Sequence, residues 1–107
     1  MDIESCRKIV ELFEAIRARP AMYTGKSYDY ARTIQLITGF RLAIAVTSQI
    51  DLGLDDVKTA YFRRGWNEVY FGAVEEMKAK GLEGDEITRE LLSVEIDFWN
   101  SHCERLS

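Results

Sequence analysis

His102 and Cys103 are the side chains best suited to acid–base or nucleophilic chemistry, and they stand next to each other near the end of the chain. Neighbours on a helix point about 100° apart, so the two do not form a dyad. His102 is the single histidine and Cys6 the only other cysteine. Zinc needs several convergent ligands, and these residues at these spacings do not supply them. With the cysteines near opposite ends there is also no CxxC motif. Gly25-Lys26-Ser27 ends like a phosphate-binding loop but lacks the preceding GxxxxG frame. The consecutive pairs Glu75-Glu76 and Asp55-Asp56 read as solvated carboxylates. An enzyme needs an acid, base, nucleophile or metal set in one constellation. None is legible here, so the sequence predicts a protein without enzymatic activity, cofactor or metal.

What remains is recognition by charge. The chain carries 14 Lys+Arg against 18 Asp+Glu, a formal net charge of −4. That balance argues against a general nucleic-acid binder. The asymmetry is sharper: residues 1–50 are net +2 and residues 51–107 net −6, so the second half suits a basic partner. Glu83, Glu86, Glu90, Asp97 and Glu104 step by three, four, seven and seven, which lays them along one helical stripe. Glu75 and Glu76 extend it on the preceding helix. The candidate partner-binding residues are therefore Glu75, Glu76, Glu83, Glu86, Glu90 and Asp97. Trp66, Tyr70 and Trp99 are assigned to the core. Arg63 and Arg64, beside Gly65, are exposed candidates that cap a helix or meet an acidic partner. The basic side chains Arg17, Arg19, Lys26, Arg32 and Arg41 are spread over two helices and a loop, without a helix-turn-helix pattern.

The elements that position these residues are read as helices. The chain has 107 residues, 47% of them apolar, which suits one domain over 1–107 and excludes disorder. The longest apolar-rich stretch, Phe40 to Val46, is broken by Arg41 and falls short of a membrane span. The N-terminal stretch MDIESCRKIVELFE lacks the apolar region of a signal peptide. The cysteines are accordingly expected as reduced thiols in the cytosol. Ile3, Cys6, Ile9, Val10, Phe13 and Ile16 predict a helix over Ile3 to Ala18, capped by Asp2 and stopped where Arg19 precedes Pro20. Pro20 to Gly25 reads as a loop whose large residues, Met22 and Tyr23, fold back onto the core. A second helix, Tyr28 to Gln49 with Ser27 as cap, is apolar on several sides and reads as the central one. Gly39 within it marks a close helix crossing. After a turn at Asp51–Asp55, a third helix runs to Lys80 with a break at Gly65, and Gly81 ends it. The last helix starts after the cap Asp85, with Ile87, Leu91, Leu92, Val94, Phe98, Trp99 and Leu106 inward. Glu68 to Gly72 is the one strand-like segment. The fold class is all-α, a compact bundle of four to five helices.

The segment Ile16-Arg-Ala-Arg-Pro-Ala-Met-Tyr-Thr-Gly25 carries two resemblances. It is similar to the IRxRPxMYxG stretch of gyrase-B-type ATPases, whose next helix supplies Glu, Asn and Asp for the nucleotide. Here that helix reads Gln35-Leu-Ile-Thr-Gly-Phe-Arg-Leu-Ala-Ile44, without an acid or asparagine, so the similarity is local and ATPase activity is rejected. The wider resemblance is to a family of small bacterial cytosolic proteins with an RPxMYxG loop, some of which resemble immunity proteins of contact-dependent growth inhibition and polymorphic toxin systems. It rests on that loop, then Gly39-Phe-Arg-Leu-Ala43, Gly65-Trp66, Gly84-Asp-Glu86 and Glu95-Ile-Asp-Phe-Trp99 in order.

That resemblance implies an all-helical cytoplasmic protein that binds a cognate toxin domain in a stoichiometric complex. The toxin is expected to be a nuclease, with a tRNA-cleaving ribonuclease as one form, whose basic cleft an acidic surface complements. The loop residues Arg19, Pro20, Met22, Tyr23 and Gly25 are expected to hold the fold rather than touch the partner. A helical adaptor with a non-toxin protein partner is the alternative. Neither reading involves direct contact with nucleic acid or membrane.

Overall fold

A computed structural model describes residues 1–48 and 53–107. Among them are six helices: α1 (Ile3–Ala18), α2 (Ala21–Thr24), α3 (Tyr30–Ser48), α4 (Leu54–Arg63), α5 (Tyr70–Ala79) and α6 (Gly84–Leu106). The all-α class holds, with one helix more than expected. The extra one is α2, a single turn where the sequence suggested a loop. The expected residue Gln49 and the first part of the Asp51–Asp55 turn lie outside the described residues.

Local chemistry explains most boundaries. The Asp2 carboxylate accepts a 2.7 Å hydrogen bond from the Ser5 N–H and opens α1. Arg19, forced out of the helical region ahead of Pro20 at φ −141°, closes it. Pro20 then starts α2, because its fixed φ of −58° already suits a helix. At α3 the cap is Asp29 rather than Ser27: its Oδ1 accepts from the Arg32 N–H at 3.0 Å, so the helix begins two residues later than expected. Gly65 adopts φ +92° between α4 and α5, and Gly81 φ +88° after α5, both where the sequence breaks. Glu68–Gly72 forms no strand: Tyr70 takes φ +50° and starts α5. The cap of α6 is Glu83, not Asp85. Glu83 and Glu86 close a reciprocal capping box around the helix start.

The central helix is α6, not α3. α1, α3, α4 and α5 all pack on it. Its Leu91, Leu92, Val94, Phe98 and Trp99 are buried, although Leu106 is not. α1 runs antiparallel to it, with Cys6 meeting Cys103 near one end and Arg17 Nη1 3.1 Å from Ser93 Oγ further along. α4 is also antiparallel, with Arg105 on Asp56 and Arg64 on Asp97. α3 runs parallel, from Tyr28 against Gly84 to Arg41 against Glu95.

α3 was expected to be central because it is apolar on several sides. The molecule instead leaves Leu42 67% and Val46 70% exposed. Gly39 faces open space and marks no helix crossing.

Cys6 and Cys103 form a disulfide, which corrects the expectation of reduced thiols. The antiparallel packing of α1 on α6 brings the two Cα atoms to 5.7 Å, within the range a disulfide spans. Sequence separation concealed this, because proximity across a helix pair is not a local property.

At the centre Arg41 and Glu95 form a buried ion pair. Arg41 Nε donates to both carboxylate oxygens at 3.1 and 2.8 Å, and Nη2 donates to Oε1. The Trp99 indole N–H adds a 2.9 Å bond to Oε2. The guanidinium carbon lies 4.0 Å from the Phe98 ring centroid, so the cation rests on an aromatic face. Burial alone would lower the Arg41 pKa, but the hydrogen bond and charge of Glu95 outweigh it and hold it above its ordinary value.

Candidate partner-binding surface

The six acidic candidates separate into internally committed groups and a freer set. Glu90 is enclosed. The Arg64 guanidinium grips its two oxygens at 2.7 and 2.8 Å, and the Trp66 indole N–H donates at 2.9 Å. Burial pushes the Glu90 carboxyl up, but the bonds from Arg64 and Trp66 and the Arg64 charge overcome it, leaving its pKa below the usual carboxylate value. The remaining Arg64 nitrogen, Nη1, lies 3.0 Å from Asp97. Arg64 thus ties the end of α4 to two points about two turns apart on α6. Arg64 is the C-cap of α4, one of the two roles the sequence left open, and its guanidinium is held to carboxylates of its own chain.

Glu76 is also engaged. Its carboxylate accepts from the backbone N–H groups of Asn67 and Glu68 and from the Asn67 side chain, at 2.9 to 3.1 Å. Those bonds, led by the Asn67 N–H, lower its pKa. They secure the link between α4 and α5 that Gly65 turns. The acidic stripe is therefore partly a set of internal struts. Spacing gave their common face but not the arginine and backbone donors opposite.

Glu75, Glu83 and Glu86 remain open to solvent. Glu75 is paired at 3.6 Å with Lys78 on its own helix, a contact of small energetic weight at a surface. Glu83 and Glu86 cap α6 through backbone N–H groups yet stay exposed, as does Asp85 between them. At this end of α6 three carboxylates, Glu83, Asp85 and Glu86, are exposed together. Gly84 lies among them and is needed there. A Cβ at this position would stand 2.6 Å from Tyr28 Cβ and 3.0 Å from the Tyr28 carbonyl oxygen. The backbone of Tyr28 is consequently packed directly on the acidic helix start.

The adjoining segment around α2 differs from expectation. Pro20 and Thr24 are the buried residues, while Met22 is 71% and Tyr23 47% exposed. A four-residue turn has room to bury one edge only, and the small Thr24 takes it. Its hydroxyl lies 3.0 Å from the Pro20 carbonyl oxygen and 2.9 Å from that of Lys26, sharing one proton between them. Arg32 Nη1 donates to the Thr24 carbonyl at 3.3 Å, and Gly25 supplies the left-handed φ of +86°. The turn is fastened from beneath, and its large side chains point outward. Tyr28, 57% exposed, continues this surface, with the Lys26 ammonium 5.7 Å from its ring centroid.

A second open region lies between α4 and α6. It is a groove of about 590 Å³ with Asp56, Arg63, Asp97, Glu104 and Arg105 around its walls. The Asp56–Arg105 pair spans it at 3.3 Å. His102 sits behind this region on α6, with Nδ1 3.3 Å from Arg105 Nη2 and its ring edge-on to Trp99. Burial, then the Arg105 charge, lowers the His102 pKa. Cys103 is engaged with Cys6 on α1, so the adjacent residues serve separate contacts. Among the described residues no group of three or more His, Cys, Asp or Glu is placed to hold a metal ion, and no helix is long and apolar enough to cross a membrane.

No protein-family model matches the chain, and neither a curated protein nor a solved structure shows significant similarity to it.

Proposed function

We propose that this protein is an immunity protein: a non-enzymatic cytoplasmic inhibitor that binds a cognate toxin domain one-to-one and blocks it. The proposed target is a nuclease, with a tRNA-cleaving ribonuclease as one form. The observation that carries the reading is the exposed acidic start of α6, where Glu83, Asp85 and Glu86 stand together on a rigid capped helix. A nuclease cleft is basic because it must hold phosphates. Carboxylates fixed on a helix end steer association with such a cleft and penalise wrong partners. Glu75 lies on the neighbouring helix and adds to the same field. Glu76, Glu90 and Asp97 contribute their charge from fixed positions inside the molecule's own bonding network.

The test is co-expression with the C-terminal domain encoded directly upstream of this gene. The expected result is a domain that is toxic alone, silenced by this protein, and recovered with it as a 1:1 complex whose association rate falls steeply with added salt. A harmless domain, or one that remains toxic and unbound, overturns the proposal and favours a helical adaptor with another protein partner.

A further inference from the structure

We infer that the turn Pro20–Gly25, with Tyr28, is the anchoring part of the partner-binding surface, and that Met22, Tyr23 and Tyr28 insert into an apolar depression on a protein partner. This inference rests on the proposed toxin-binding function and names the residues that carry it.

Three features of the turn support it. The first is the inversion of burial within the turn. Thr24 and Pro20 occupy the interior, while the two largest side chains face solvent. A one-turn helix has a single inward position, which Thr24 takes, so Met22 and Tyr23 are presented to solvent beside the exposed Tyr28 as an apolar patch. The second is rigidity. The proline, the shared Thr24 hydroxyl bond, the Arg32 contact and the Gly25 conformation fix the turn before any partner arrives. A backbone fixed in this way needs little further ordering on binding, and tyrosine is enriched at hot spots.

The third feature is the charge around these residues. Arg19 and Lys26 stand on the turn side, where Arg32 is already paired with Asp29 at 3.4 Å, and Glu83, Asp85 and Glu86 on the α6 side, with Tyr28 packed on Gly84 between them. The complementary surface must offer carboxylates to the turn and cations to the helix start, around an apolar socket. A folded protein can present both signs on one surface. A nucleic-acid strand presents phosphates throughout and would meet Glu83, Asp85 and Glu86 with repulsion. The surface therefore selects a protein.

The experiment compares wild type, Tyr23→Ala, Met22→Ala/Tyr23→Ala, Tyr23→Phe and Lys26→Glu for binding to the purified toxin domain by calorimetry, with melting temperature read in parallel. The expected result is roughly 30-fold weaker binding for the double variant, as for loss of a hot spot. Its melting temperature should stay within a few degrees of wild type, and Tyr23→Phe should restore most of the affinity. Lys26→Glu should slow association. If wild type neutralises the toxin and the double variant binds as tightly, the anchoring role is overturned while the immunity function stands. If the double variant loses melting temperature and affinity together and Tyr23→Phe rescues neither, the turn serves the fold and the inference fails. If wild type does not bind the domain at all, both fall. A fluorescent single-stranded oligonucleotide is the control. Tight binding of it, abolished in Tyr23→Ala, would replace the protein partner with nucleic acid.

Discussion

Glu95 is the point on which the buried charge at the centre of the molecule is balanced. Its carboxylate receives Arg41 and the Trp99 indole in a setting where both charged side chains are more than nine-tenths buried. Removing one partner strands the other charge away from water, which costs about 3–5 kcal/mol, whereas replacing both with apolar groups is often neutral. Glu95→Gln should therefore sharply lower the urea midpoint, and Arg41→Met/Glu95→Leu should recover most of the loss. A double variant no better than Glu95→Gln would show that the pair contributes more than mutual compensation. Arg41 was visible in the sequence as the one charge within Phe40–Val46, and Glu95 as a carboxylate inside the apolar face of the last helix. Each looked like an exception alone. Matching two isolated charges on two otherwise apolar faces is the signal that could have joined them. Met22 and Tyr23 misled in the opposite direction, because size suggests burial but a one-turn helix has a single inward position.

At the level of elements, boundaries were legible wherever one backbone preference decides them. Asp2, Pro20, Gly65 and Gly81 act on their own immediate neighbours, and each does what its chemistry dictates. Caps were less legible where several acceptors lie in sequence, as with Ser27 and Asp29, or Glu83 and Asp85, since the choice depends on which the tertiary packing admits. The linking of elements by Glu76 and Glu90 has a measurable pH signature. Both carboxyls are held below their ordinary value of 4.5. A depressed folded-state pKa favours the ionised native form, so this stabilisation is complete above the unfolded value. It is lost as pH falls through the lower folded value. The melting temperature should thus be flat from pH 7 to about 5 with respect to these groups and decline below about 4.5. Glu76→Gln/Glu90→Gln should start lower at pH 7 and decline less. An identical acid slope in the variant would remove these two residues as the cause. Gly25 provides a second check on an element. Gly25→Ala would strain a φ of +86° and crowd Arg32 Nη1 at 3.2 Å, so a loss of about 1–2 kcal/mol is expected in chemical denaturation. A neutral result would mean that the turn relaxes without its glycine.

For the whole molecule, the central α6 holds the disulfide and the acidic helix start at opposite ends. Cys103 and Cys6 join α6 to α1 near one end, while Gly84 and Tyr28 meet at the other. The rise of a helix puts Gly84 and Cys103 about 28 Å apart. The disulfide closes nearly the full length of the chain, and such a link adds about 2–5 kcal/mol, chiefly by restricting the unfolded ensemble. In a reducing cytosol that contribution disappears, whereas the packing of Phe13, Leu92 and Trp99 in the core depends on apolar burial and not on the sulfur–sulfur bond itself. Cys6→Ser/Cys103→Ser, or wild type in excess dithiothreitol, should therefore melt lower yet unfold in one cooperative step, with unchanged affinity for the partner. A loss of affinity on reduction would mean that the α1–α6 link sets the shape of the distant turn. An unchanged melting temperature would mean that the pair is already reduced in solution. Retained affinity with lowered stability is the outcome that reconciles a disulfide in the structure with a protein proposed to act in the cytosol, because it separates the bond that secures the helices from the surface that does the binding.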